Sequence, residues 1–177
     1  LHRALPHDRS NALAAAATAP CGGASIDGVR AALTDFRGLA HRVELVGESA
    51  GVRWFDDSKA TAPHATLAAL RGFDSVVLVA GGRNKGLDLS ALHDGVGHVR
   101  AVVGIGEAGG EVLAAFPDRP GVLAESMSGA VRAAAEAAVP GDVVLLSPGC
   151  ASFAVYGSYS ERGAGIPERV RALATTG

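Results

Sequence analysis

The stretch "VRWFDDSKATAPHATLAALRGFDSVVLVAGG", residues 52–82, contains a complete strand–helix–strand unit. Its ends, "VRWFD" and "SVVLVAGG", predict two strands, and "PHATLAAL" between them places proline at a first helical position before strong helix formers. The second strand is a continuous apolar run, which is typical of a strand buried on both faces of a parallel sheet. The stretch therefore predicts an α/β fold built around a parallel sheet.

The same alternation continues on both sides of this unit. The further strand candidates are "RVELVG", "VRAVVGIG", "GVLAES" and "DVVLLSPG", and helices are predicted over residues 63–70, 89–95, 107–116, 128–138 and 156–174. Only "ESAG" separates the first two strands, so these strands should form a hairpin. We predict an open, mainly parallel, Rossmann-like sheet of about six strands, with helices on both faces and one antiparallel edge hairpin.

The first 38 residues differ from the rest of the chain because they contain no strand candidate. "SNALAAAATA" predicts a helix with Ser10 or Asn11 near its start, and "SIDGVRAALTDF" predicts a second helix capped by Ser25. Two short helices cannot form an independent core. We therefore interpret residues 1–38 as the helical tail of a preceding domain, and residues 39–177 as the domain that contains the sheet.

Composition narrows the classes of function. A formal charge of −2 argues against a nucleic-acid-binding surface, which would need a basic stripe. No apolar run approaches the length of a membrane span, so we expect no membrane partner. The two cysteines, Cys21 and Cys150, form no metal-binding spacing, which suits a reducing cytoplasm. Cys150 is interpreted as a small buried thiol rather than a nucleophile.

Polar residues follow three of the predicted strands. The first turn contains Asp57, Ser58, Lys59 and Thr61; the second is "AGGRNKGLDLS" with Lys85; the third is "LLSPGCASFAVYGSYSERG". The chain has 16 basic residues, and its only two lysines are in the first two of these turns. Ligands of open α/β sheets bind beyond the carboxyl ends of the strands, and a helix N-terminus beside a lysine favours a phosphate or a carboxylate.

A fourth turn, "GIGEAG", matches a dinucleotide-binding pattern through Gly104, Gly106 and Gly109, with Glu125 further along. This match supports an alternative function, a nucleotide- or NAD-binding module. The match lies after the fourth strand rather than in a first strand–helix–strand unit, so the preferred interpretation is a tight structural turn.

Taken together, "DDSKAT", "AGGRNKG" and "LLSPGCASFAVYGSYSERG" resemble, in this order and spacing, the C-terminal part of the Mur ligases of peptidoglycan synthesis. The resemblance implies an ATP-dependent, amide-bond-forming ligase that adds D-glutamate to UDP-N-acetylmuramoyl-L-alanine through an acyl phosphate. A sister ligase that adds another amino acid, or folylpolyglutamate synthase, is the closer alternative. The third turn favours the D-glutamate-adding branch.

The resemblance also implies roles for individual residues. The ATP-binding residues would be Asn11, Arg42, Asp57 and Lys59, with Lys59 also catalytic. The D-glutamate-binding residues would be Thr61, Lys85, Ser152, Phe153 and Tyr159. The family has asparagine where Asp8 and Ala62 stand and aspartate where Ala154 stands. None of these departures removes an assigned contact, although they are compatible with weakened activity.

The chain contains no P-loop, G-x-x-x-x-G-K-[ST], and the resemblance places the magnesium ligands upstream, so no metal ligand is expected in this chain. The expected partners are ATP with Mg²⁺, D-glutamate, UDP-N-acetylmuramoyl-L-alanine, and the N-terminal and central domains of the same protein. We expect a cytoplasmic monomer that cannot catalyse ligation without those domains.

Overall fold

The computed structural model describes residues 5–151 together with Glu168 and Val170. The chain separates into two compact units, Leu1–Leu39 and Ala40–Gly177. Within the described residues, every helix is too short or too polar to cross a lipid bilayer. Most of the helix predicted over residues 156–174 lies outside this part of the chain; Glu168 and Val170 are helical.

The first unit consists of α1 (Pro6–Thr18), a 3₁₀ segment (Ala19–Gly22) and α2 (Ile26–Asp35), and no residue of these helices is buried. The prediction that α1 begins near Ser10 was wrong. Pro6 occupies the first turn, and the Asp8 carboxylate accepts a hydrogen bond from the Leu5 N–H at 3.2 Å, which stabilises an earlier start. Ser25 caps α2 as predicted, since its hydroxyl oxygen accepts from the Gly28 N–H.

The second unit contains a six-stranded sheet. Its strands are β1 (Glu44–Ser49), β2 (Val52–Asp56), β3 (Val76–Gly81), β4 (Val99–Ile105), β5 (Gly121–Ala124) and β6 (Val143–Leu146). Their order across the sheet is β1-β2-β6-β3-β4-β5. β1 and β2 pair antiparallel at one edge, and every other neighbouring pair is parallel. The predicted mainly parallel sheet with one edge hairpin is therefore confirmed.

Helices cover both faces of the sheet. α5 (Met127–Ala137) packs with Val170 against one face, in a core cluster that includes Trp54, Val79 and Leu146. A 3₁₀ segment (Leu89–His98) contacts both α3 (Pro63–Leu70) and α4 (Gly109–Ala114). They cover the opposite face, where the alternate strand residues such as Leu78 point. The helix predicted over residues 89–95 is thus a longer 3₁₀ segment, and α4 is shorter than the predicted 107–116.

Asp142 lies at the amino-terminal edge of the sheet, directly before β6. Its buried carboxylate accepts hydrogen bonds from the Ser75 hydroxyl at 2.6 Å and the Val139 N–H at 2.8 Å, and it pairs with Arg100 Nε at 2.8 Å. Burial alone would raise the pKa of Asp142, but these hydrogen bonds outweigh it and lower the pKa.

Replacing Asp142 by alanine is expected to lower the free energy of unfolding by about 2 kcal/mol, because three donors lose their acceptor. Urea unfolding of the purified chain measures the change. Asp118→Ala is the control, since Asp118 is exposed, and it should change stability by less than about 0.5 kcal/mol. Equal losses in the two variants would contradict the prediction.

Candidate functional site

The three polar turns meet at the carboxyl edge of the sheet. β6 lies between β2 and β3, so the turn after β6 runs between the other two. Its backbone bonds to both of them: Gly149 N–H donates to the Ala60 carbonyl at 2.9 Å, and Gly81 N–H donates to the Pro148 carbonyl at 2.8 Å. Arg83 and Ala151 form a further bridge. The sequence-based expectation that these turns share one edge is therefore confirmed.

The chain also changes winding direction at this point. The segment after β3 joins the helices on one face, whereas Val170, beyond β6, packs with α5 on the other face. In open α/β sheets, ligands bind beyond the carboxyl ends of the strands at which the chain changes from one face to the other. The turns that follow β3 and β6 lie at this edge and are joined by the hydrogen bond from the Gly81 N–H to the Pro148 carbonyl.

In the first turn Thr61 is exposed and Lys59 is half-buried, whereas Asp56, Asp57 and Ser58 are buried. α3 begins directly after this turn, and no side chain caps it, because the residue before Pro63 is alanine. Capping therefore does not account for the polar residues of the turn. The N–H groups at the start of α3 are oriented toward the same edge as Lys59, which favours an anionic ligand there.

Asp57 is tied into the fold on both oxygens. Oδ1 accepts from the Val43 N–H at 3.2 Å, and Oδ2 accepts from the Ser147 hydroxyl at 2.7 Å. The Ser147 hydroxyl also contacts Thr66 Oγ1 at 3.1 Å, and all three polar side chains are buried. Burial raises the pKa of Asp57 to about 7, against the opposing effects of the Ser147 and Val43 hydrogen bonds and the Arg42 charge.

A short segment before β1 reaches the same turn. His41 and Val43 both have left-handed backbones, with φ of 60° and 47°. This conformation is strained for Val43, because valine is β-branched. His41 Nδ1 lies 2.6 Å from Asp56 Oδ2. Arg42, between them, is exposed, and its charge acts on Asp57. Arg42 was predicted from the sequence and His41 was not, because the His41–Asp56 contact exists only once β1 and β2 have paired.

The second turn presents an exposed Lys85. Asn84 holds this turn: its Oδ1 accepts from the Leu87 N–H at 2.8 Å, and its Nδ2 donates to the Leu87 carbonyl and to Glu111 Oε2. This role of Asn84 was not predicted from the sequence, although asparagine is a common turn-forming residue. These hydrogen bonds fix the backbone conformation of the turn that carries Lys85.

The remaining predicted site residues fall outside this geometry. Asn11 lies on the exposed surface of α1 in the first unit. Ser152, Phe153 and Tyr159 lie outside the described residues. Cys150 is fully buried, which confirms its interpretation as a buried thiol. The assigned roles of all these site residues stay predictions.

The "GIGEAG" turn is filled by the chain's own backbone. A Cβ on Gly104 would lie 2.5 Å from the Gly109 carbonyl oxygen. The Ala108 N–H at the start of α4 donates to the Gly82 carbonyl, and the Gly109 N–H donates to the Gly106 carbonyl. A pyrophosphate would need these N–H groups and this space. The geometry therefore favours the structural turn over a dinucleotide site.

His41, Glu44 and Asp56 each offer one possible metal-ligand atom, and these atoms lie within 4.8 Å of one another. Both oxygens of Asp56 already accept hydrogen bonds, from Ser58 and from His41. Magnesium prefers oxygen ligands and water, whereas one of the three atoms offered here is a histidine nitrogen. A magnesium ion would also have to displace the hydrogen bonds to Asp56. The cluster does not fit a magnesium site, and the expectation that the magnesium ligands lie outside this chain stays a prediction.

A sequence profile of the Mur ligase glutamate ligase domain matches residues 41–150, which include the first two turns and the start of the third. The chain belongs to the Mur ligase family. The resemblance found in the sequence is thereby confirmed over the sheet domain.

Curated Mur ligase relatives extend the match to most of the chain. A UDP-N-acetylmuramoylalanine–D-glutamate ligase of Frankia casuarinae is 48% identical over 94% of this chain and 36% of its own length. The enzyme of the same name from Rubrobacter xylanophilus is 46% identical over 89% of this chain and 37% of its own length. The chain therefore spans a little over one third of the relatives that it matches.

Solved structures of Mur ligases share the fold. UDP-N-acetylmuramate-alanine ligase from Thermotoga maritima aligns over 97% of this chain and 39% of its own, with a TM-score of 0.70 and 17% identity. A pseudomurein peptide ligase type C from Methanothermus fervidus aligns over 98% of this chain and 37% of its own, with a TM-score of 0.71 and 13% identity.

Proposed function

We propose that this chain is the C-terminal, amino-acid-binding part of an ATP-dependent ligase that adds D-glutamate to UDP-N-acetylmuramoyl-L-alanine. The observation that carries the proposal is the junction of the three turns at one sheet edge, with the chain's two lysines on the outer two. The D-glutamate ligases named above share 46–48% identity with this chain over 89–94% of its length, which supports this substrate over other amino acids.

In the proposed reaction, the carboxylate of UDP-N-acetylmuramoyl-L-alanine attacks the γ-phosphorus of ATP and releases ADP. The D-glutamate amine then attacks the acyl carbon, and the tetrahedral intermediate expels phosphate to leave the amide. Negative charge develops on phosphoryl and carboxyl oxygens in both steps. Fixed cations and N–H donors at this edge would therefore contribute most of the stabilisation.

The proposal divides the site between two ligands. Arg42 and Lys59 would face the nucleotide phosphates, with Asn11 at the adenine and Asp57 at the ribose. Thr61, Lys85, Ser152, Phe153 and Tyr159 would hold D-glutamate, with the Lys85 ammonium paired to one of its carboxylates. When bound, Mg²⁺ would neutralise phosphate charge. The part of the protein that supplies the P-loop and the other domains would complete the site, in the cytoplasm where ATP is available.

Replacing Lys85 by alanine in the full-length protein is expected to raise the KM for D-glutamate about 100-fold, because a carboxylate loses its charged partner. The measurement is ADP release that depends on both UDP-N-acetylmuramoyl-L-alanine and D-glutamate. The KM for ATP should change little.

Arg83→Ala is the matched control, since Arg83 is an exposed cation two residues away in the same turn. It should change either KM by less than about threefold. Wild-type protein that uses another amino acid in preference to D-glutamate would refute the proposed substrate. An unchanged D-glutamate KM in Lys85→Ala would refute the assigned site.

A further inference from the structure

Asp56 is a buried carboxylate to which the proposed reaction gives no role. It is the last residue of β2, and its side chain is 2% exposed. A carboxylate at this depth is costly unless its oxygens are hydrogen-bonded. The neighbouring Asp57 is assigned to the nucleotide, whereas Asp56 has no predicted ligand and its sequence position suggests only the end of a strand.

The structure gives both oxygens of Asp56 a partner. Oδ1 accepts from the Ser58 N–H at 2.8 Å and from the Ser58 hydroxyl, which shapes the turn that follows β2. Oδ2 lies 2.6 Å from His41 Nδ1, a contact that joins this turn to a segment 15 residues earlier. Asp56 is therefore the point at which two separate pieces of chain are connected.

His41 continues this connection through its backbone. Its carbonyl accepts from the Lys59 N–H at 3.1 Å, and its N–H donates to Glu44 Oε2 at 2.8 Å. Two residues later, the Val43 N–H donates to Asp57 Oδ1. The segment 41–43 is thus tied to the turn 56–59 on both sides of Arg42.

The geometry points to a positioning role: we infer that Asp56, acting through His41, fixes Arg42 and Lys59 relative to each other before ATP binds. The inference rests on the proposed assignment of these two cations to the nucleotide phosphates. The hydrogen bonds of Asp56 and His41 order the two chain segments during folding rather than on ligand binding, which is how preorganised sites gain affinity.

The test compares Asp56→Ala with Asp142→Ala in the full-length protein. Both variants remove a buried, hydrogen-bonded aspartate, but Asp142 lies at the opposite edge of the sheet. We expect Asp56→Ala to raise the KM for ATP about tenfold and leave the KM for D-glutamate within about twofold, whereas Asp142→Ala changes neither. Asp56→Asn keeps one acceptor oxygen and should recover part of the ATP affinity.

A second measurement does not depend on activity. Amide hydrogen exchange of the Lys59 N–H, followed by NMR on this chain, should be about tenfold faster in Asp56→Ala and unaltered in Asp142→Ala, because the His41 carbonyl is released. If Asp56→Ala does not fold, His41→Asn replaces it, since asparagine tolerates the left-handed backbone at this position.

The outcomes separate the inference from the proposed function. Unchanged protection of the Lys59 N–H, or an unchanged KM for ATP in an active Asp56→Ala enzyme, overturns the inference. Faster exchange of the Lys59 N–H in Asp56→Ala, together with a wild-type protein that lacks D-glutamate ligase activity, supports the inferred positioning role and refutes the proposed function. Submillimolar binding of Mg²⁺ or Zn²⁺ to the chain that Asp56→Ala abolishes would mark a metal site and overturn the inference.

Discussion

Replacing Gly81 by alanine is expected to lower the free energy of unfolding by about 4 kcal/mol or more, which places it among the most damaging single substitutions. Gly81 ends β3 with φ of 118°, a conformation that side chains rarely adopt. A Cβ at this position would lie 2.2 Å from the carbonyl oxygen of Ile105. That oxygen belongs to β4, which is paired on both sides, so the backbone cannot move away without breaking the sheet.

Two other glycines separate the causes of this loss. Gly86 has φ of 81° with nothing within 4 Å of its Cβ position, so Gly86→Ala reports conformational strain alone. We expect it to cost about 1–2 kcal/mol. Gly110 in α4 has neither constraint, and Gly110→Ala should be neutral or slightly stabilising. Urea unfolding of the three variants gives the ranking. Equal midpoints for Gly81→Ala and Gly86→Ala would show that the contact with Ile105 is relieved at no cost.

Replacing Asp57 by asparagine is expected to remove a large pH dependence of stability. Its pKa is about 7 in the folded chain, against the ordinary value of 3.8 that applies when the chain is unfolded. Between these values the folded state binds a proton that the unfolded state does not. The stabilisation from this proton is fully present below pH 3.8 and is lost as pH rises through about 7.

The size of the effect follows from the shift. At about 1.4 kcal/mol per pH unit, the wild-type chain would lose as much as about 4 kcal/mol relative to the variant between pH 4 and pH 7. Asparagine cannot ionise, yet it can accept from the Val43 N–H and donate to the Ser147 hydroxyl. The measurement is urea unfolding of both chains at pH 5, 6, 7 and 8. The difference in stability between them should grow with pH in favour of Asp57→Asn, and a constant difference would contradict the prediction.

The Asp57 carboxyl lowers the free energy of unfolding at neutral pH, which a purely structural role does not explain. Asparagine would bond to the same two groups, with the direction of the Ser147 bond reversed, and would bury no charge. Ionisable groups with strongly shifted pKa values tend to gather at functional sites, which agrees with the proposed contact between Asp57 and a nucleotide ribose. At this position stability therefore favours asparagine, whereas the proposed binding role favours aspartate.

The sequence was sufficient for the strands and for the sheet edge at which the three polar turns meet. The runs around Val77 and Val144 are too apolar for any position other than a sheet interior, and the turns that follow them lie at this edge. The order of the strands was not predictable, because the placement of β6 between β2 and β3 depends on pairings between distant segments. The left-handed backbone at His41 and its contact with Asp56 depend on the same pairings.

The position of β6 also has a consequence for synthesis of the chain. β6 is the last of the six described strands to be synthesised, yet it lies between β2 and β3. Until it arrives, those two strands each present a row of unpaired N–H and C=O groups, which invites aggregation. Pairings between such distant segments are slow to form, and a nascent chain that is released early would keep both edges open. The sheet closes, and the three turns meet, only once β6 has been synthesised.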